Sequence, residues 1–267
     1  MEVKFQYVDT PLGQLHIATA GHGDPIILLH QTPRSWDEFR EVIPLLAQKC
    51  QVIAMDMYGF GQSAKFPKPH SIEKYAEGVI ALADALGFKD FNLMGHHTGA
   101  LVSFEVAATN PDRVRNLILS APPFTNLEYR EKHKNGEGVD DAVIAEDGSH
   151  LTSNWSKRYP FYPKNRPDIL NRFIRDSLSY GLDPTEGHLA CSSYVIEDGL
   201  EKIVSRVLLL APSEDPFAFP QSDKFLLGLK NTKEVSKAII QGGMIPLMEV
   251  KYEEVSKVVL EFLQGQK

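Results

Sequence analysis

The chain reads as an α/β protein with a mostly parallel sheet flanked by helices. Two observations predict this. Short, continuous apolar runs at residues 26–29, 52–55, 91–94 and 117–119 suit strands covered on both faces. The segments between them, 36–48, 72–86 and 100–109, are helix-like, and such βαβ alternation implies parallel strands.

The other elements fit around this pattern. Residues 5–8 and 15–20 read as an antiparallel hairpin at a sheet edge, joined by the turn Thr10-Pro11-Leu12-Gly13. The alternation stops at Ala121-Pro122-Pro123 and resumes near Arg206. Between them lies a polar stretch dotted with Tyr129, Trp155, Tyr159, Phe161, Tyr162 and Tyr194, with helix-like pieces at 168–178 and 187–194. We read it as an inserted helical cap. Residues 207–210 and 235–240 complete an eight-stranded sheet, and 249–263 is a closing amphipathic helix with Val250, Val255, Val258, Val259, Leu260 and Phe262 as its apolar set. The division expected is a core of residues 1–121 and 201–267 with the cap at 122–200.

Bulk properties narrow the function classes. At 267 residues the chain is long enough for one large α/β unit with a sizeable core. A net charge of −7 without basic clusters gives no electrostatic footprint for nucleic acid or an anionic membrane, so a small-molecule substrate or ligand is the expected partner. Only Cys50 and Cys191 are present, far apart, and both read as buried thiols. No signal-like start and no apolar run of roughly 20 residues is visible, so the expectation is a cytoplasmic protein. Oligomeric state is left open.

The most informative residue is His97. The stretch from Phe91 to Ala100, F-N-L-M-G-H-H-T-G-A, is a short strand entering a glycine-flanked turn and then a helix, the context of a G-x-S-x-G nucleophile elbow. Its centre holds an imidazole, which is suited to moving protons where a hydroxyl would form an acyl-enzyme.

Other landmarks stand in order along the chain. Leu28-Leu29-His30-Gln31-Thr32-Pro33 looks like a strand-end loop supplying an oxyanion amide, Asp56 to Ser63 reads D-x-x-G-x-G-x-S, Asn110 to Val114 reads N-P-x-R-V, and Pro212-Ser213-Glu214-Asp215 follows an apolar strand. Together with the elbow, these resemble the α/β-hydrolase superfamily over essentially the whole chain. The resemblance implies that Asp215 is the catalytic acid and that Gln31 and Thr98 supply oxyanion-hole amides. The Gly59-x-Gly61 pair lacks the third glycine of a dinucleotide fingerprint, and we expect no cofactor and no metal.

One departure changes the chemistry. The family's late histidine would fall in G-G-H-x-P-x-x-E, whereas residues 242–249 read G-G-M-I-P-L-M-E, with Met244 in its slot. The last histidine anywhere is His188, ahead of the acid loop, so a serine triad in the usual chain order is excluded. What remains is an acid/base dyad of His97 oriented by Asp215, acting on a small carbonyl or ester-like molecule in a hydrolytic or lyase-like step. A histidine's ordinary pKa near 6.5 suits that role. The alternatives are an inactive ligand-binding protein on the same scaffold and a covalent imidazole nucleophile.

His30, Met244 and Trp155 are expected to line the pocket. His96 is expected to be structural, and His150 and His188 to lie on the surface of the cap.

Overall fold

The structure is a computed structural model describing residues 2–134, 140 and 144–265. In chain order the strands are β1 (Lys4–Thr10), β2 (Gly13–Ala20), β3 (Asp24–Leu29), β4 (Cys50–Met55), β5 (Phe91–His96), β6 (Val114–Ser120), β7 (Arg206–Pro212) and β8 (Glu234–Ile240). Across the sheet they run β1-β2-β4-β3-β5-β6-β7-β8. The β1–β2 hairpin pairs antiparallel with β4, and every pairing from β4 to β8 is parallel.

Alternation along the buried strands feeds two cores. Ile27 and Leu29 join the cluster on one face, while Ile26 and Leu28 join the cluster on the other. Helix α1 (Ile43–Leu46) is short, because the segment expected as one helix over 36–48 is a 3₁₀ turn at Trp36–Phe39 and then this separate turn. Pro44 lies in the first turn of α1, where its missing N–H costs nothing, and it would break a helix running through it. Helix α2 (Ile72–Ala85) is capped by Ser71, whose hydroxyl accepts the Lys74 amide at 3.2 Å. Helix α3 (Thr98–Thr109) is buried on nearly every side, packed against α2, β5 and β6.

Among the described residues, four α-helices fall between β6 and β7: α4 (Leu127–His133), α5 (Ser149–Arg158), α6 (Pro167–Ser177) and α7 (Pro184–Ser193). Part of the stretch assigned to a cap, residues 135–139 and 141–143, lies outside the described residues. Tyr162, Ile169, Leu170, Phe173 and Ile174 form an apolar cluster of their own there, with Trp155 and Phe161 against it. After β7 come α8 (Ser222–Gly228), α9 (Leu247–Val250) and α10 (Tyr252–Gln264); the helix expected at 249–263 is thus interrupted at Lys251. No helix among the described residues is long and apolar enough to cross a membrane.

A charged cluster ties the loop after β3 to α6 and α9. Arg34, buried, contacts Glu249 at 2.9 Å and Asp176 at 3.3 Å, while Arg172 binds Asp37 at 2.6 Å. Burial raises Glu249 to about 8 and Glu38 to about 7 from an ordinary 4.5, even though Arg34 opposes both shifts. The folded chain therefore keeps protons that the unfolded chain releases above pH 4.5. Their contribution to stability is whole below that pH and is lost as pH rises through 7 to 8.

Two outcomes follow from this architecture. Urea denaturation of Glu249→Gln and wild type from pH 5 to 8 should show the stability difference shifting in favour of the variant as pH rises; a difference independent of pH contradicts the buried-acid assignment. A Cβ on Gly99 would stand 2.1 Å from the Leu29 carbonyl oxygen, a rigid backbone atom. Gly99→Ala should cost about 3 kcal/mol in the same assay.

Candidate functional site

The site is assembled where β5 turns into α3. His97 sits at that turn with φ 48° and ψ −112°, a conformation that non-glycine residues rarely adopt and that costs roughly 1–3 kcal/mol. The turn closes because Gly95 and Gly99 carry no side chain: a Cβ on Gly95 would meet the Gly99 carbonyl at 2.0 Å. The His97 amide donates to the Ser120 carbonyl at 3.0 Å, pinning the turn to the end of β6.

His96 faces inward and is fully buried. Its Nε2–H donates to the Ile245 carbonyl at 3.0 Å, and the Ser120 hydroxyl donates to its Nδ1 at 2.9 Å. Burial, reinforced by the neighbouring His97, lowers its pKa to about 3, so the ring is neutral and acts as a brace between β6 and the loop at 245.

His97 faces Asp215 across the space between β5 and β7. Its Nε2 lies 2.8 Å from Asp215 Oδ2. The ring N–H is not aimed straight at that oxygen, so the contact is close in distance and imperfect in angle. Asp215 Oδ1 accepts the Phe217 and Ala218 amides at 2.9 and 3.0 Å, which fixes the carboxylate so that Oδ2 is left for the imidazole. Burial pushes this carboxyl up, but His97 and the two amides outweigh burial and hold it below the usual range.

A cavity of about 350 Å³ opens beside His97, lined among others by Thr32, His97, Thr98, Phe217 and Ile245. The Thr98 amide heads α3, where helix amides have no intrahelical partner.

The Gln31 amide, expected in the oxyanion hole, is already occupied. It donates to Glu38 Oε2 at 2.8 Å while the Gln31 side-chain amide donates to Glu38 Oε1. The next residue offers the better donor: Thr32 lines the cavity, and its amide has only a long 3.4 Å contact, to Thr98 Oγ1.

The three expected pocket residues do not line the described cavity. His30 is fully buried, donating from Nδ1 to the Gln31 carbonyl at 2.8 Å and accepting the Met57 amide at Nε2 at 3.0 Å, so it ties down its own loop. Met244 is half-buried, and its neighbour Ile245, whose carbonyl is held by His96, reaches the cavity instead. Trp155 packs into the apolar cluster of α5 and α6. The D-x-x-G-x-G-x-S landmark is a turn: Asp56 accepts the Trp36 and Gln62 amides at 2.8 Å and faces His16 at 3.0 Å.

Sequence reading missed Arg158 and placed His188 on the surface. Both line the cavity. They share Asp140, which His188 Nε2 approaches at 2.6 Å and Arg158 grips through Nε at 2.6 Å and through Nη2. Arg158 and His188 outweigh the effect of burial and bring Asp140 to about 2. No spacing or motif marks these three residues in the sequence.

Comparison with known proteins agrees with this architecture. The model of the alpha/beta hydrolase fold family matches residues 24–235. The chain is 28% identical over 262 residues to a bifunctional esterase/perhydrolase of Acinetobacter calcoaceticus, spanning 90% of this chain and 92% of that one. It is 40% identical over 106 residues to a soluble epoxide hydrolase of a Corynebacterium species, a match that spans 40% of this chain but only 37% of that relative's length. A thermophilic esterase from Thermogutta terrifontis shares the fold, with TM-score 0.77, 22% identity and 98% of each chain covered. Most of the chain's length lies inside the family match, and the chain belongs to the alpha/beta hydrolase fold family.

Proposed function

We propose that this chain is an enzyme that uses His97 and Asp215 as an acid/base dyad on a small ester-like or carbonyl compound. The observation that carries the reading is the 2.8 Å approach of His97 Nε2 to a carboxylate whose other oxygen is fully engaged, at the wall of a cavity. With Nε2 facing Asp215, Nδ1 is the nitrogen left for the reacting molecule. In a hydrolytic turn Nδ1 takes a proton from water as the water oxygen bonds to the carbonyl carbon, and the carbonyl π pair moves onto oxygen. The Thr98 and Thr32 amides stabilise that oxyanion. Its collapse breaks the bond to the leaving group, which takes the proton back from His97. Asp215 stabilises the transient imidazolium and holds the ring's orientation.

The helices of residues 122–200 act in this reading as the cap over the core, since they contribute Arg158, His188 and Tyr129 to the cavity wall. Relatives named for esters and epoxides support a hydrolase class without selecting the bond that is broken.

The test is a panel of small esters, lactones and β-keto compounds with wild type, His97→Ala and Asp215→Asn. Turnover should fall about 10²–10⁴-fold in His97→Ala. In Asp215→Asn a smaller loss, about tenfold or more, is expected, carried mainly by kcat. Full activity in His97→Ala removes the dyad. Ligand binding with no turnover anywhere in the panel favours a non-catalytic binding protein.

A further inference from the structure

The cavity wall carries charge that the dyad does not use. Lys132 on α4, Arg158 at the end of α5 and Lys224 on α8 line it beside the rings of His133 and His188, the carboxylate in the described lining is the exposed Glu128, and Asp140 stands behind Arg158. This is a cationic chamber in a chain of net charge −7. Arg158 is its centre. It is 5% exposed and stacks over Phe173 at 4.6 Å. Asp140 takes its Nε and Nη2 and also the His188 ring, leaving Nη1 without a partner among the described residues. Neither Lys132 nor Lys224 has a carboxylate partner among the described residues. A buried guanidinium with unmet donors strongly favours an oxyanion over a neutral group, because its planar N–H edges match two oxygens.

We propose that the substrate bears an oxyanion group, a carboxylate or a phosphate, gripped by Arg158 with Lys132 and Lys224 while its reacting carbonyl faces His97. The reacting end rests on the function proposed above; the anion grip does not. Asp140 positions Arg158 and the His188 ring. A neutral molecule of the same shape leaves the guanidinium donors unmet and is rejected.

Isothermal titration with benzoate, phenyl phosphate and benzamide reads the grip without turnover. At least one anion should bind tenfold or more tighter than benzamide, and the preferred anion identifies the head group. Arg158→Gln should erase that preference. The surface double variant Lys132→Gln/Lys224→Gln, which leaves the buried Arg158–Asp140 pair intact, should weaken the anion at least threefold and flatten its salt dependence. His97→Ala should keep the anion preference while losing turnover, so failure of the dyad and failure of the grip are seen separately. Equal binding of benzamide and the anions, no saturable anion binding, or wild-type anion affinity in the lysine double variant overturns the proposal.

Discussion

The strained turn at His97 is the constraint on which the site depends. Its positive φ fixes the direction in which the side chain leaves the backbone, and the bare α-carbons of Gly95 and Gly99 let β5, α3 and the end of β3 close around it. Nothing in this geometry requires a hydroxyl. It requires that residue 97 emerge at the end of the sheet, and an imidazole emerging there is long enough to reach Asp215 on the loop after β7. His96 and Ser120 hold the turn from behind, so that strain at one residue is countered by hydrogen bonds to strand β6 and to the loop at 245.

Buried charge is sorted by task. In the cluster of Arg34, Glu38, Glu249, Asp176, Asp37 and Arg172, every cation meets carboxylates; this cluster fixes the loop after β3. One consequence reaches the cavity. Glu38 captures the Gln31 amide, and the amide left with only a long contact is that of the next residue, Thr32, which lines the cavity. In the second cluster a single carboxylate, Asp140, serves both Arg158 and His188, and Arg158 lines the cavity with Nη1 unpartnered among the described residues. The first cluster lies away from the cavity lining, whereas Arg158 and His188 of the second are part of it.

Features carried by continuous local patterns were legible in the sequence. The inner strands β3 to β7 appear as apolar runs because both sheet faces are covered there, and the order of the landmarks along the chain brings His97 and Asp215 together on paper before any geometry is known. Features that depend on a distant partner were not. Glu38 reads as one more helical residue until its carboxylate is seen on Gln31, and Trp155 is indistinguishable in composition from a lid aromatic although it fills the small core of α5 and α6. Arg158 and His188 lie thirty positions apart in a segment without motifs, and only the helices bring them to Asp140. The helix expected at 36–48 failed for a local reason that was visible, Pro44.

The remaining nucleophiles near the cavity sharpen the assignment to the imidazole. Cys191 lines the cavity, but burial lifts its thiol to about 11 against a weak contact with Thr98, so it stays protonated near neutrality. The Thr98 hydroxyl meets the Cys191 thiol and the Thr32 amide, each at 3.4 Å, and neither contact is a base that could remove its proton. His188 has its Nε2 committed to Asp140, and that carboxylate is itself committed to Arg158. Among the described residues that line the cavity, His97 alone pairs a cavity-facing ring with a carboxylate whose second oxygen is held by backbone amides.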